Sequence, residues 1–217
     1  MRENMIYNPC FYQFREYQLE RILEIIANNK TAKAGSTLFL GDSITQMYDI
    51  DKYFPYIENK YNCGICGFTS ESLIWVIDEV CIKFKPSKVV LMIGTNDLDD
   101  TTMTSPRKVA LNIQTIIDLI IRNLKDVEIV LISTLPCDEN LHGYQLGQGL
   151  RSNELLQLIF RECKLLFKNY ENITLVDVFY NFLDHSKNLR NELTTDGIHL
   201  NEHGYELYTS LIKAYIM

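Results

Sequence analysis

Residues 89–93, Val89-Val90-Leu91-Met92-Ile93, are apolar at every position, and Leu38-Phe39-Leu40 repeats the pattern earlier in the chain. A strand with one wet face alternates apolar and polar side chains, whereas a strand covered on both faces has no need to. Such runs call for a sheet sandwiched between two helical layers. The intervening sequence supplies the helices. Strands are expected over Thr37 to Leu40, Tyr56 to Asn62, Lys88 to Ile93, Val127 to Ser133 and Ile173 to Val178. Between and around them, apolar residues recur at helical spacing. Phe11, Phe14, Leu19, Ile22, Leu23, Ile25 and Ile26 predict an N-terminal helix over residues 11–29. A short helix follows residue 43, and longer ones are expected over Glu71 to Phe84, Ser105 to Leu124, Ser152 to Tyr170 and Asn201 to Tyr215. Ser105-Pro106 reads as an N-cap with proline in the first helical position.

Five strands alternating with helices predict an α/β fold, a three-layer α/β/α sandwich around a five-stranded, mainly parallel sheet. With 217 residues, no internal repeat and no linker, residues 1–217 read as one domain, residues 1–35 being a helical extension packed on it. In open parallel sheets ligands gather beyond the carboxyl ends of the strands. Two polar motifs stand at such ends. Gly41-Asp42-Ser43-Ile44-Thr45 follows the first strand, and Gly94-Thr95-Asn96-Asp97 follows the third.

A net charge of −7 and a sequence pI near 5.1 argue against a nucleic-acid partner, which needs clustered positive charge. No apolar stretch approaches the roughly 18 residues that span a bilayer, so no stable membrane insertion is expected. The opening Met1-Arg2-Glu3-Asn4-Met5 does not read as a secretory signal, and the expected location is cytoplasmic. Of the cysteines at 10, 63, 66, 81, 137 and 163, only Cys63 and Cys66 are spaced Cys-x-x-Cys. Without a second pair there is no tetrahedral zinc pattern, and small space-filling residues are the simpler reading than a redox motif.

A serine hydroxyl becomes a nucleophile when an imidazole takes its proton and a carboxylate fixes the imidazole tautomer. Ser43 lies at a strand tip, and Asp196-Gly197-Ile198-His199 offers a carboxylate and an imidazole three residues apart. Asn96 adds a neutral carboxamide donor at a second strand tip. Taken alone Ser43 reads more simply as a helix N-cap, and Asn96 has the competing reading of a turn residue. His142 and His185 fall in polar loops and His203 early in the last helix, where surface roles are expected. Asp42 reads as a brace for neighbouring backbone and Asp97 as a brace for the Asn96 loop. Asp177 and Asp184 remain as other carboxylates. A metal cluster of Asp42, Asp97, Asp99 and Asp100 is the competing reading of the strand tips. A solvated loop explains Asp97, Asp99 and Asp100 more simply, and neither a metal nor a cofactor is expected.

The motifs together resemble the SGNH (GDSL-type) hydrolase family. Gly41-Asp42-Ser43 is similar to its nucleophile block and Asn62-Cys63-Gly64-Ile65-Cys66-Gly67-Phe68-Thr69-Ser70 to its glycine block. Gly94-Thr95-Asn96-Asp97 and Asp196-Gly197-Ile198-His199 resemble the remaining two, in the family's order. The resemblance implies a flavodoxin-like SGNH hydrolase fold and a Ser43-His199-Asp196 triad. It also implies an oxyanion hole from Ser43, Gly67 and Asn96. No Gly-x-Ser-x-Gly elbow occurs, which separates this chain from the α/β-hydrolases. The implied activity is a serine esterase acting on a small-molecule or carbohydrate ester. Tyr144, Gln145 and Gln148 in the 137–151 loop, with no long apolar lid, favour a short acyl group such as acetyl. A lysophospholipase or thioesterase is the alternative, and a non-catalytic binding module the more distant one.

Overall fold

The computed structural model describes residues 14–99, 102–146 and 149–217; Cys10, Phe11, Asp100 and Gln148 lie outside the described residues. In chain order its elements are α1 (Glu16–Asn29), β1 (Thr37–Gly41), α2 (Ser43–Gln46), α3 (Ile50–Tyr53) and β2 (Lys60–Gly64). Next come α4 (Ser70–Val80), β3 (Lys88–Met92), α5 (Pro106–Asn123), β4 (Glu128–Ile132) and α6 (Glu139–His142). The chain closes with α7 (Asn153–Leu166), β5 (Ile173–Val176) and α8 (Glu202–Ile216). The five strands pair in the order β2-β1-β3-β4-β5, and all four pairings are parallel.

Side chains along a strand alternate between the two faces, and here both faces are buried. Leu38, Leu40, Val89, Leu91, Ile129 and Leu131 share one core with Ile22 and Ile25 of α1, and with α4, α5 and α7. Phe39, Val90, Met92, Val130 and Ile132 share the other with Ile44, Ile50, Tyr208 and Ile212. The apolar runs are uninterrupted because each successive residue meets a different helical layer.

Several helix starts are fixed by side-chain caps. Ser105 accepts from the Lys108 N–H with Pro106 in the first turn, Ser152 from Leu155, and Asn201 from Gly204. Caps of this kind stabilise by about 1 kcal/mol each. The boundaries depart from sequence expectation where proline intervenes. The second strand begins at Lys60 rather than Tyr56, because Phe54 closes α3 onto Ile50 and Pro55 directs the next residues into a turn. The helix expected to reach Phe84 stops at Val80 and continues as a 3-10 turn over Ile82–Phe84. Lys85 there takes φ +50, and Pro86 disfavours a helical residue before it. The helix expected to reach Tyr170 ends at Leu166. The segment read as a loop over 137–151 contains the single-turn α6.

The strand order reverses at β1: the chain first adds β2 on one side, then crosses to β3 on the other. Such a switch point opens a crevice beyond the carboxyl ends of the two central strands. Ser43 follows β1 and Asn96 follows β3, so both stand at that crevice.

Candidate functional site

The turn after β1 is built by Asp42 and Asn62. Asp42 caps α2 by accepting the Ile44 N–H at 3.0 Å, so the cap is Asp42 and Ser43 is the first helical residue with its hydroxyl uncommitted to capping. Asn62 of β2 donates from Nδ2 to the carbonyls of Thr45 (2.7 Å) and Tyr48 (3.0 Å), and its Oδ1 accepts from Gly64 N–H. That pins α2 against β2 so closely that a Cβ on Gly64 would lie 2.2 Å from the Gln46 nitrogen. From the other side, Tyr205 of α8 donates to the Ile44 carbonyl at 2.7 Å.

The structure brings Ser43, His199 and Asp196 into one hydrogen-bonded line. His199 Nε2 is 2.9 Å from Ser43 Oγ, and His199 Nδ1 is 2.7 Å from Asp196 Oδ2. The other carboxylate oxygen of Asp196 accepts the backbone N–H groups of Ile198 (3.0 Å) and His199 (2.8 Å). Partial burial pushes the Asp196 carboxyl up, but the His199 ring and the two backbone donors outweigh it and hold the group at about 2. The carboxylate is thus ionised throughout the range in which imidazoles titrate.

Gly67 and Asn96 stand on neighbouring segments. Gly67 takes φ +69, a conformation open to glycine, and Asn96 Nδ2 donates to the Phe68 carbonyl at 3.0 Å. One N–H of the Asn96 carboxamide is used there, and among the described residues the second has no acceptor. Among the described residues no acceptor faces the N–H of Ser43 or of Gly67. Below the surface, Asp97 accepts from the Ser70 N–H at 2.8 Å and from the Ser70 hydroxyl, which also accepts from Asn112 at 2.9 Å. This bridge locks the Asn96 loop to the start of α4. Burial raises the carboxyls of Asp42 to about 6 and Asp97 to about 7; their hydrogen bonds offset only part of it, and at Asp97 the neighbouring Asp42 charge adds to the rise.

The other candidate residues go elsewhere. Asp177 pairs with Lys164 at 2.8 Å, Asp184 accepts the Asn188 N–H, and His185 and His203 are exposed. Asp42 and Asp97 are spent on Ile44 and Ser70, and Asp99 pairs with Arg151, so these three act as braces in the structure. Cys63 is packed in the core under α4, where burial pushes its thiol well up, while Cys66 is half-buried.

Four side chains at this site were invisible to motif reading. His142, expected at a polar surface, is half-buried with Nε2 2.7 Å from the Asp196 carbonyl. Arg151 is 4% exposed and reaches the Thr95 carbonyl at 3.3 Å, tying residue 151 to the Asn96 loop. Gln46 Oε1 accepts the Cys66 N–H at 2.6 Å, and Gln18 of α1 donates to the Cys66 carbonyl at 3.0 Å. All four act across long sequence separations, and none belongs to a spacing that a motif could register.

An imidazole between a hydroxyl and a carboxylate can take the hydroxyl proton, and a crevice with unspent N–H donors can hold a developing oxyanion. Comparison with known proteins gives the family. Residues 39–207 match the model of the GDSL-like Lipase/Acylhydrolase family. Among curated proteins none matches the sequence significantly. A structure from Streptococcus pneumonia, provisionally described as a platelet activating factor, is similar at 29% identity and TM-score 0.83, over 93% of this chain and 94% of that one. The lipase/acylhydrolase from Enterococcus faecalis shares 22% identity at TM-score 0.68, over 83% of this chain and 94% of the other. An acetyl-xylooligosaccharide esterase of Geobacillus shares 20% identity at TM-score 0.65, over 85% and 95%. With its family model covering most of the sequence, the chain belongs to the GDSL-like lipase/acylhydrolase family and is a carboxylic ester hydrolase.

Proposed function

We propose that the protein is a serine esterase working through a Ser43-His199-Asp196 triad and an acyl-enzyme. The observation that carries this reading is the 2.9 Å approach of His199 Nε2 to Ser43 Oγ, with Asp196 behind the ring. Ser43 Oγ attacks the ester carbonyl as His199 takes its proton. The N–H groups of Ser43 and Gly67 and the spare N–H of Asn96 receive the oxyanion. His199 then protonates the departing alcohol, leaving Ser43 acylated. A water deprotonated by His199 attacks the acyl-enzyme and releases the carboxylic acid, restoring both residues. Only side chains and main-chain donors take part, so no cofactor or metal is needed. We treat residues 1–217 as one domain, since Ile22 and Ile25 of α1 share a core with the central strands.

The substrate we favour is a short acyl ester, acetyl first, on a hydroxyl-rich alcohol. Exposed Tyr144 and Gln145 border the α6 segment that carries His142 to the site, and one structural neighbour is an acetyl-xylooligosaccharide esterase. The same segment also exposes Leu141, Leu146 and Leu150, which favours a second reading with a longer acyl chain. Rates on p-nitrophenyl esters of increasing chain length separate the two. A decline beyond butyryl supports the first, and a steady rise to decanoyl supports the second. Among the described residues no helix is long and apolar enough to cross a membrane.

A further inference from the structure

Gly67 and Cys66 share one peptide unit, so the Cys66 carbonyl and the Gly67 N–H point in opposite directions from the same plane. Whatever grips that carbonyl aims that N–H. The grip comes from Gln18, which is 2% exposed and donates from Nε2 to the Cys66 carbonyl at 3.0 Å. Its Oε1 is used in turn by the Arg15 N–H at 2.9 Å, so the carboxamide is held at both ends and cannot turn over without losing both bonds. On the preceding peptide, Gln46 accepts the Cys66 N–H. Phe14 stacks on Phe68 at 5.7 Å, fixing α1 over the same turn. A Cβ on Gly67 would stand 3.0 Å from the Tyr17 hydroxyl and 3.2 Å from Gln18 Nε2. The start of α1 is therefore in contact with the glycine turn, although it lies outside residues 39–207 that match the family.

We infer that Gln18 is a positioning residue of the oxyanion hole, orienting and polarising the Cys66–Gly67 peptide so that the Gly67 N–H faces the reacting carbonyl. Gly67 is the one proposed backbone donor in a left-handed turn, and that turn has no ladder or helix to hold its peptide plane. A hydrogen bond to the carbonyl of a peptide also strengthens its N–H as a donor. This inference rests on the serine esterase reading above. It adds that the oxyanion hole takes its aim from the N-terminal helix.

The test compares Gln18→Glu and Gln18→Leu with the wild type on p-nitrophenyl acetate. Gln18→Glu keeps the acceptor for the Arg15 N–H but, once ionised, places a carboxylate that donates nothing against the Cys66 carbonyl; because burial raises a carboxyl, kcat is compared at about pH 9. Gln18→Leu removes both bonds. Both variants are expected to lose about 5- to 50-fold in kcat, short of the 100- to 1,000-fold for deleting an oxyanion donor outright. KM should stay within about twofold, and the acid midpoint of kcat/KM should not move, because His199 is untouched. A role confined to stability would lower the melting temperature and leave kcat of the folded protein alone, which would overturn the inference. So would a loss residing in KM, or failure of both variants to fold. If the wild type is active and the variants match it, only the role of Gln18 falls. A wild type inactive on every ester would sink the esterase reading and this inference with it.

Discussion

His142 Nε2 lies 2.7 Å from the main-chain carbonyl of Asp196, joining α6 to the residue that backs the His199 ring. A carbonyl only accepts, so Nε2 carries the proton, as it does in both the neutral Nε2–H tautomer and the imidazolium. The link therefore survives a change in the charge of His142. Asp138 adds a second tie, its N–H donating to the Gly197 carbonyl at 2.8 Å. His142→Ala should cut kcat roughly 3- to 30-fold by loosening the Asp196 loop, with His142→Gln recovering much of it through its own amide donor. His185→Ala and His203→Ala should match the wild type. Equal activity of His142→Ala and wild type would assign that contact to packing alone.

The Ser43 assignment is tested by chemistry rather than by rate alone. Ser43→Ala should remove ester hydrolysis while leaving the melting temperature close to that of the wild type. A serine-directed organophosphonate should label Ser43, as read by peptide mass spectrometry. Modification of any other serine would displace it from the proposed mechanism.

The pH dependence of activity follows from one carboxyl value and one imidazole. Asp196 is held at about 2, so it stays ionised at every pH where the enzyme would be assayed. Loss of kcat/KM toward acid should therefore come from protonation of the proposed base His199 and not of Asp196, so no step is expected near the ordinary carboxyl value of about 4. A step in kcat/KM near the ordinary carboxyl value of about 4 would mean that Asp196 is not held as the structure shows.

Stability should run the opposite way. Asp42 and Asp97 rise from 3.8 to about 6 and about 7 because they are buried. A folded state with raised carboxyl values binds more protons than the unfolded chain between those limits, so its stability falls as pH rises from about 4 to about 7. The melting temperature should drop across that window. Asp97→Asn should flatten the slope, since an amide does not titrate. A melting temperature that climbs steadily from pH 4 to pH 7 would refute the burial argument.

Asn96→Ala removes the proposed side-chain donor. It should lower kcat by about 100- to 1,000-fold with a smaller change in KM, since the bond strengthens as charge develops. A loss appearing wholly in KM would make Asn96 a ground-state binding residue.

The sheet and the three catalytic candidates were legible because each depends on local pattern. Val89 to Ile93 reads as a doubly covered strand from its composition, and Asp196 and His199 are neighbours by spacing. Boundaries were less legible at Pro55 and Pro86, where a proline redirects chain that propensity alone would continue. The single-turn α6 was missed because four residues carry too little periodicity to register, and with it went the contact between His142 and Asp196. Gln18, Gln46 and Arg151 escaped for a different reason: each serves a backbone carbonyl or N–H, and any sequence can offer those partners. A side chain that recognises main chain leaves no complementary residue to find.

Ser43 and His199 are 156 residues apart in sequence, and α8 closes the distance by docking Tyr205 on Ile44 and Thr209 on Tyr48. Each half of the machinery is chemically inert without the other. The turn that carries Ser43 packs on β2, and its proposed proton acceptor His199 stands beside it only where α8 is docked. On the proposed mechanism, ester cleavage therefore reports whether α8 is seated on the turn that carries Ser43.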